Sequence, residues 1–413
     1  MGSWKRTERL AWAKWATPKQ LREEPIHRWF VFPHSYSGEL VKALIDEWGL
    51  GPKDCILDPF VGAGTTLVAA KEKGVPANGY DLSPLAVLVS RVKSARYSPA
   101  DLRKTWTQLK RRIDPNKWNR STKHAYPELV VKALPGRILV GFDNCCSEIR
   151  KLEKSAVTRD FFFAGLLACI HRFSRAVPTG GWLKWVAKEI DDTALPDALG
   201  EQVALMLDDV ESRQRPHSGR WSAAQSDARH LPKTNRIFSA AITSPPYPNR
   251  HDYTRIFGVE LMFGFLNWEE IRSLRHRSVC SHPESHPIGF RVREYETPRR
   301  LDQVLKALRC CEVDPRVTRM LFGYFSDMFS CLQEIAGKTG TGAHIAAVVG
   351  NVQYAGVPVM VDELIAEIGE QVGLLCEEVR IIRYRGNSAQ QMGRYGRRPS
   401  RESVVIFRKI HGA

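Results

Sequence analysis

The sequence predicts an α/β protein: a mixed sheet with helices on both faces, interrupted by a mainly helical insertion. Three observations predict it. Residues 55–58 (CILD) and 77–81 (ANGYD) read as strands joined by a glycine loop and a helix, the front half of a nucleotide-type α/β unit. Residues 240–247 (AAITSPPY) are an apolar run stopped by two prolines, and 344–350, 378–384 and 403–407 supply further strands between amphipathic helices. Between these blocks, residues 94–219 break the rhythm with longer helix-like segments such as 161–173 and 203–210.

Taken in order, residues 1–24 are basic and carry Trp4, Trp12 and Trp15, and are expected to form a helical arm packed on the body. Ser37 is an N-cap, Glu39 sits in the first turn, and Leu40, Leu44 and Ile45 mark the apolar side of the helix that follows. Gly49 and Gly51-Pro52 end it. The strand 55–58 leads into Pro59-Phe60-Val61-Gly62-Ala63-Gly64-Thr65-Thr66 and a helix over 67–73 closed by Gly74. The strand 77–81 ends on Asp81, and Leu82-Ser83-Pro84 opens a helix through Val92.

Gly62 and Gly64 let a ligand approach the backbone at a helix N-terminus. Asp81, 23 residues after Asp58, stands where a carboxylate can hold ribose hydroxyls. The loop departs from a dinucleotide fingerprint, because Asp58 before it would repel a pyrophosphate. An acid there suits a cationic or zwitterionic adenosyl ligand.

Residues 91–123 hold eleven Lys or Arg against two Asp. A solvated charged face and a polyanion contact account equally well for such a run. The expected division is a first part of the core over 1–93, the helical basic insertion over 94–220 as a candidate for DNA recognition, and the rest of the core over 221–413. A third strand over 224–228 would end at Asp227-Ala228, with the carboxylate near an adenine amino group. After Tyr247 comes a polar, aromatic stretch with Arg250 and Arg255, then a helix over 259–266. Residues 269–300, rich in Arg, His, Ser and Pro, are expected to be a mobile loop region. His282 and His286 lack a Cys or carboxylate cluster of ligand spacing, so no metal is expected. Helices over 316–336 and 359–372 flank the strand 344–350, and the last two strands are expected to pair antiparallel. Between those two, Arg385, Arg394, Arg397 and Arg398 alternate with Gly and Tyr in a second arginine-rich loop over 385–401, a composition suited to phosphate contacts and base stacking.

The 413 residues carry a net charge of +16, which favours a polyanionic partner. Nine cysteines include no C-x-x-C pair, so neither a zinc site nor a redox dithiol is signalled, and they read as reduced thiols of a cytosolic protein. No apolar run approaches a membrane span, and the first residues lack the apolar core of a signal peptide.

At these residues the chain resembles the S-adenosylmethionine-dependent amino methyltransferases of DNA. The family's DPFxGxGTT motif is matched by residues Asp58 to Thr66, and its [S/D/N]PP[Y/F/W] motif by Ser244-Pro245-Pro246-Tyr247. Residues 32–41 (FPHSYSGELV) are similar to its remaining cofactor motif, with Gly38 where proline is usual. The resemblance implies a class I methyltransferase (Rossmann-like) fold with S-adenosylmethionine as cofactor. It assigns cofactor binding to Phe32, Pro33, Tyr36, Ser37, Asp58, Pro59, Phe60, Gly62, Gly64, Thr65, Thr66, Asp81, Leu82, Ser83, Asp227 and Ala228. Ser244, Pro245, Pro246 and Tyr247 take the catalytic role. Arg250, Arg255, Arg385, Arg394, Arg397 and Arg398 are expected at double-stranded DNA.

The Ser form of the tetrapeptide is typical of cytosine-N4 enzymes and the Asp form of adenine-N6 enzymes. Adenine or structured RNA stays open as a substrate; a protein amide is disfavoured, since Asn is usual there. A prokaryotic cytoplasmic, DNA-associated enzyme is implied, and a cognate restriction endonuclease is a partner the resemblance allows. An exocyclic amine is a poor nucleophile because its lone pair is delocalised into the ring. Acceptors at Ser244 and the Pro245 carbonyl would localise that pair, positioning would supply much of the rate, and Tyr247 would stack on a base flipped from the duplex.

Overall fold

The computed structural model describes residues 4–410 except 34, 119–120, 214–218, 287–293, 312 and 387–399. Eight strands form the central sheet: β1 (Lys5–Glu8), β2 (Ile56–Asp58), β3 (Ala77–Asp81), β4 (Trp221–Gln225), β5 (Phe238–Thr243), β6 (Thr339–Gly350), β7 (Leu374–Arg385) and β8 (Ser400–Lys409). Their order is β1-β7-β8-β6-β5-β2-β3-β4. β8 is antiparallel to both β7 and β6, and every other neighbouring pair is parallel. One antiparallel strand inserted beside the last parallel one is the arrangement expected of a class I methyltransferase sheet.

Alternation along β5 and β6 explains why the sheet is covered twice. Ala240, Ile242, Ala346 and Val348 face one side, where α1 (Gly38–Glu47) and α2 (Thr65–Lys73) cover them with Leu40, Val41, Leu44 and Leu67. Ala241, Ile345, Ala347 and Val349 face the other, against Phe325, Phe329 and Leu332 of the long helix Pro315–Lys338 and against Leu364 and Ile368 of the helix Val361–Gln371. Strands buried on both faces read as continuous apolar runs, which is why residues 240–243 and 344–350 were legible.

α3 (Pro84–Ser94) follows β3 and turns toward the insertion. There α4 (Pro99–Lys110), α5 (Glu128–Ala133), α6 (Arg137–Arg150), α7 (Ala156–Phe173) and α8 (Leu195–Ser212) pack with a hairpin of Ala176–Thr179 and Trp182–Trp185. The insertion shares one apolar cluster with Phe30, Phe32, α3 and the helix Gly258–Gly264. It is therefore built onto the core rather than beside it.

Three expectations need correction. Among the described residues of the expected arm over 1–24 there is no long helix: Lys5–Glu8 add a parallel edge strand opposite Glu378–Ile381, and 3-10 turns at Leu10–Ala16 and Gln20–Arg22 follow. Nothing local favours a strand in KRTE, and its partner edge lies about 370 residues away in sequence, as the Thr7–Glu378 hydrogen bond records. Residues 269–300 are not one loop. Trp268–Arg277 is a helix, α11 in chain order after α9 (Tyr253–Ile256) and α10 (Gly258–Gly264), with a full capping box between Asn267 and Glu270. Its arginines hid it, because only Ile271 and Leu274 are buried. Finally, β4 ends at Gln225, so Asp227 lies in the turn beyond the strand. Among the described residues no helix is long and apolar enough to cross a membrane.

Candidate active site

The carboxyl ends of β2, β3 and β5 open onto one cleft, where ligands of α/β sheets bind. Among the residues named from sequence, Phe32, Tyr36, Pro59, Phe60, Gly62, Thr65, Asp81, Leu82, Ser83, Asp227, Ala228, Ser244 and Pro246 line it. Sequence reasoning missed a further wall made by Tyr253, Phe257, Val279 and His282. Phe257 packs its ring 4.4 Å from that of Phe32.

The glycine loop shapes the floor. Gly62 takes φ +46 and Gly64 φ +81, left-handed conformations that a side chain disfavours. A Cβ on Gly64 would lie 2.9 Å from the Ser90 Cα, so this glycine is needed for the loop to pack on α3 and does not touch the cleft. The Gly62 N–H donates to Asp81 Oδ2 at 3.0 Å and the Ser83 N–H to Oδ1 at 2.9 Å. These two bonds fix the carboxylate at the rim.

Asp58 lies behind the cleft wall, buried. Its Oδ1 accepts from the Phe60 N–H at 3.1 Å and from Thr243 Oγ1 at 2.7 Å, which ties the end of β2 to the end of β5. Thr66 does similar work from α2, hydrogen bonded to the Tyr36 hydroxyl and to the Ile242 carbonyl. Ser37 is buried as the N-cap of α1, its Oγ accepting from the Glu39 N–H at 3.2 Å. Neither Asp58 nor Asp81 has a Lys or Arg partner among the described ion pairs. Burial pushes each carboxyl up to about 6, against hydrogen bonds that pull it down. Asp81 at the rim and Asp58 buried behind the wall, both without a Lys or Arg partner among the described ion pairs, fit a ligand that brings its own positive charge.

Asp227 does reach the cleft, yet its carboxylate is clamped by Arg229, with Oδ2 2.7 Å from Nη2 and Oδ1 3.0 Å from Nε. Arg229 is buried and also bonds Asp327 at 3.0 Å, whose other oxygen accepts the Cys280 N–H at 2.9 Å. The clamp therefore pins the turn after β4 to the segment carrying Val279 and His282. No local pattern signalled it.

A second, smaller cleft meets the first at Ser35, Tyr36 and Ser244. Tyr247, Pro33, Arg383, Arg385 and Glu402 line it, together with residues 16–18. Ser-Pro-Pro-Tyr thus stands on the partition between two spaces, with Pro246 facing the first and Tyr247 the second. Ser244 Oγ lies 3.1 Å from the Val348 carbonyl. A carbonyl can only accept, so the serine donates there and keeps its lone pairs for another donor. The loop beyond is anchored by the Tyr354 hydroxyl on the Pro248 carbonyl and by the Arg250 N–H on Ser281 O at 3.0 Å.

The arginines divide. Arg250 is exposed, at φ +70, over the Tyr354 ring at 5.2 Å. Arg255 is engaged within the protein, paired with Asp252 at 3.3 Å and Glu284 at 3.1 Å and stacked 4.4 Å from the Trp182 ring. Arg385 faces the second cleft. Arg394, Arg397 and Arg398 lie outside the described residues.

Strand order and cleft are those of a class I methyltransferase (Rossmann-like) fold. A family model described as DNA methylase, of the N6/N4 type, matches residues 3–90. Type II methyltransferase M.BsoBI of Geobacillus stearothermophilus is 28% identical over 448 residues, covering 94% of this chain and 86% of the relative. Type II methyltransferase M.AvaI of Nostoc sp. is 28% identical over 433 residues, covering 94% and 87%. Over residues 3–90, and at 28% identity over most of its length, the chain is thus similar to amino methyltransferases of the N6/N4 DNA methylase type.

Proposed function

We propose that the protein methylates cytosine N4 in double-stranded DNA at a specific site. The observation that carries this reading is the meeting of two clefts at Ser244, one fitted to an adenosyl cation and one lined by an aromatic ring. When bound, S-adenosylmethionine supplies an electrophilic methyl group on its sulfonium. Asp81 holds the ribose hydroxyls from the rim, Phe32 and Phe257 enclose the adenosyl group, and Asp58 and Asp81 balance the positive charge. On the other side, Tyr247 stacks on the flipped base. Ser244 Oγ and the Pro245 carbonyl accept the two amine hydrogens and turn the nitrogen lone pair toward the methyl. The proton lost by the amine passes to solvent through the second cleft.

Support for DNA comes from the net charge of +16 and from the relatives, both named Type II methyltransferases. Support for cytosine is the Ser form of the tetrapeptide. The test is incubation with labelled S-adenosylmethionine and unmethylated DNA, followed by nucleoside mass spectrometry. N4-methylcytosine is the expected product. N6-methyladenine would retain the mechanism and overturn the base, and label on RNA alone would overturn the substrate.

A further inference from the structure

We propose that Arg385 selects cytosine in the second cleft by donating to O2 and N3 of the flipped base. The inference rests on the reading of that cleft as a base pocket.

Arg385 closes β7, and its side chain lines the cleft together with Ser244 and Tyr247. Its guanidinium carbon is 6.0 Å from the centroid of the Tyr247 ring. The group is held in place: Nη1 lies 3.2 Å from Glu402 Oε1, and Nη2 lies 3.4 Å from the Asn351 carbonyl. Glu402 is itself buried at 5% exposure and also holds Arg383 at 3.4 Å. The backbone makes room for this arrangement. A Cβ on Gly350 would lie 2.8 Å from the Tyr247 ring and 2.9 Å from Arg385 Nη2, so the glycine lets ring and guanidinium lie against β6 together.

A guanidinium carries five N–H donors in a rigid fork, and its two polar contacts among the described residues engage only part of that fork. With the amine hydrogens of the base taken by Ser244 and Pro245, cytosine presents N3 and O2, two neighbouring acceptors. Adenine in the same pose presents N1 and then a C–H. A fork of donors fits the first edge and leaves a donor facing carbon on the second. Glu402 acts through Arg385 as a positioning residue, since its carboxylate aims the fork.

The test is a double-substitution cycle on a duplex carrying the site mapped from DNA that the protein has methylated. The target cytosine is replaced by a 2-aminopyridine C-nucleoside, which keeps the amine and the neighbouring ring nitrogen but has no O2. For the wild type, kcat/KM is expected to fall on the order of 10- to 100-fold on this analogue. R385A is expected to fall similarly on cytosine and to lose little more on the analogue, with S-adenosylmethionine affinity unchanged. R385K, which keeps the charge without the fork, is expected to behave like R385A and covers the case in which alanine disturbs folding. Losses that simply add, or an R385K enzyme as fast as the wild type on cytosine, would overturn the assignment. A wild type that methylates adenine and never cytosine would instead overturn the reading on which it rests.

Discussion

Asp58→Asn isolates the electrostatic cost of preparing a cleft for a cation. The carboxyl is buried at 2% exposure, accepts from Phe60 and Thr243, and is raised from 3.8 to about 6, chiefly by burial. Because the folded state binds this proton more tightly than the unfolded chain, the group favours folding most below 3.8. That contribution is lost as pH rises to about 6 and stays lost above it. At about 1.36 kcal/mol per pH unit, the ionised group costs the ligand-free protein on the order of 3 kcal/mol at pH 7.5. Asparagine keeps an oxygen for the Phe60 and Thr243 bonds, offers its amide to the Thr66 hydroxyl that also bonds the carboxyl, and carries no charge. The ligand-free variant is therefore expected to be more stable than the wild type at pH 7.5 by up to about 3 kcal/mol, with the difference shrinking toward pH 4. Its affinity for S-adenosylmethionine is expected to fall about 10-fold or more, as one countercharge is removed. Urea unfolding at both pH values and calorimetric titration of the cofactor read these effects. A variant less stable at pH 7.5, or one that binds the cofactor as tightly as the wild type, would refute the reasoning.

Gly64→Ala places a Cβ at φ +81 and 2.9 Å from the Ser90 backbone, and urea unfolding should show a loss of about 2–5 kcal/mol. Gly350→Ala pushes against the Tyr247 ring at 2.8 Å, so kcat should fall about 10-fold or more while cofactor affinity holds, as titration and turnover together would show. Ser244→Ala removes the acceptor on the partition, and single-turnover transfer should slow on the order of 100-fold or more with cofactor binding nearly intact.

What was legible in the sequence was what is local. Asp58, Gly62, Gly64 and Asp81 fall within 24 residues and act on one loop, and Ser244 to Tyr247 carry their geometry in two prolines. Ser37 announced its helix because an N-cap is read from its neighbours. What was not legible is what the sheet brings together from a distance. Thr243 reaches Asp58 across 185 residues, and Arg229 reaches Asp327 across 98. The second cleft joins Tyr247 of the tetrapeptide to residues 16–18, Arg383 and Glu402, which lie in no motif. From sequence Arg385 is expected at the edge of a loop suited to phosphate contacts and base stacking, because arginine density gives a charge and not a direction. The structure turns it inward along β7, where Glu402 on the paired strand holds it.

The central claim is that Ser244 stands between cofactor and base. The measurement that tests it most directly is a crystal structure with S-adenosylhomocysteine and a duplex containing the mapped site. Adenosyl density is expected between Asp81 and Phe257, with a base flipped against Tyr247 and its exocyclic nitrogen about 3 Å from Ser244 Oγ. A base stacked in the duplex, or one lodged on the same side of Ser244 as the adenosyl group, would contradict it.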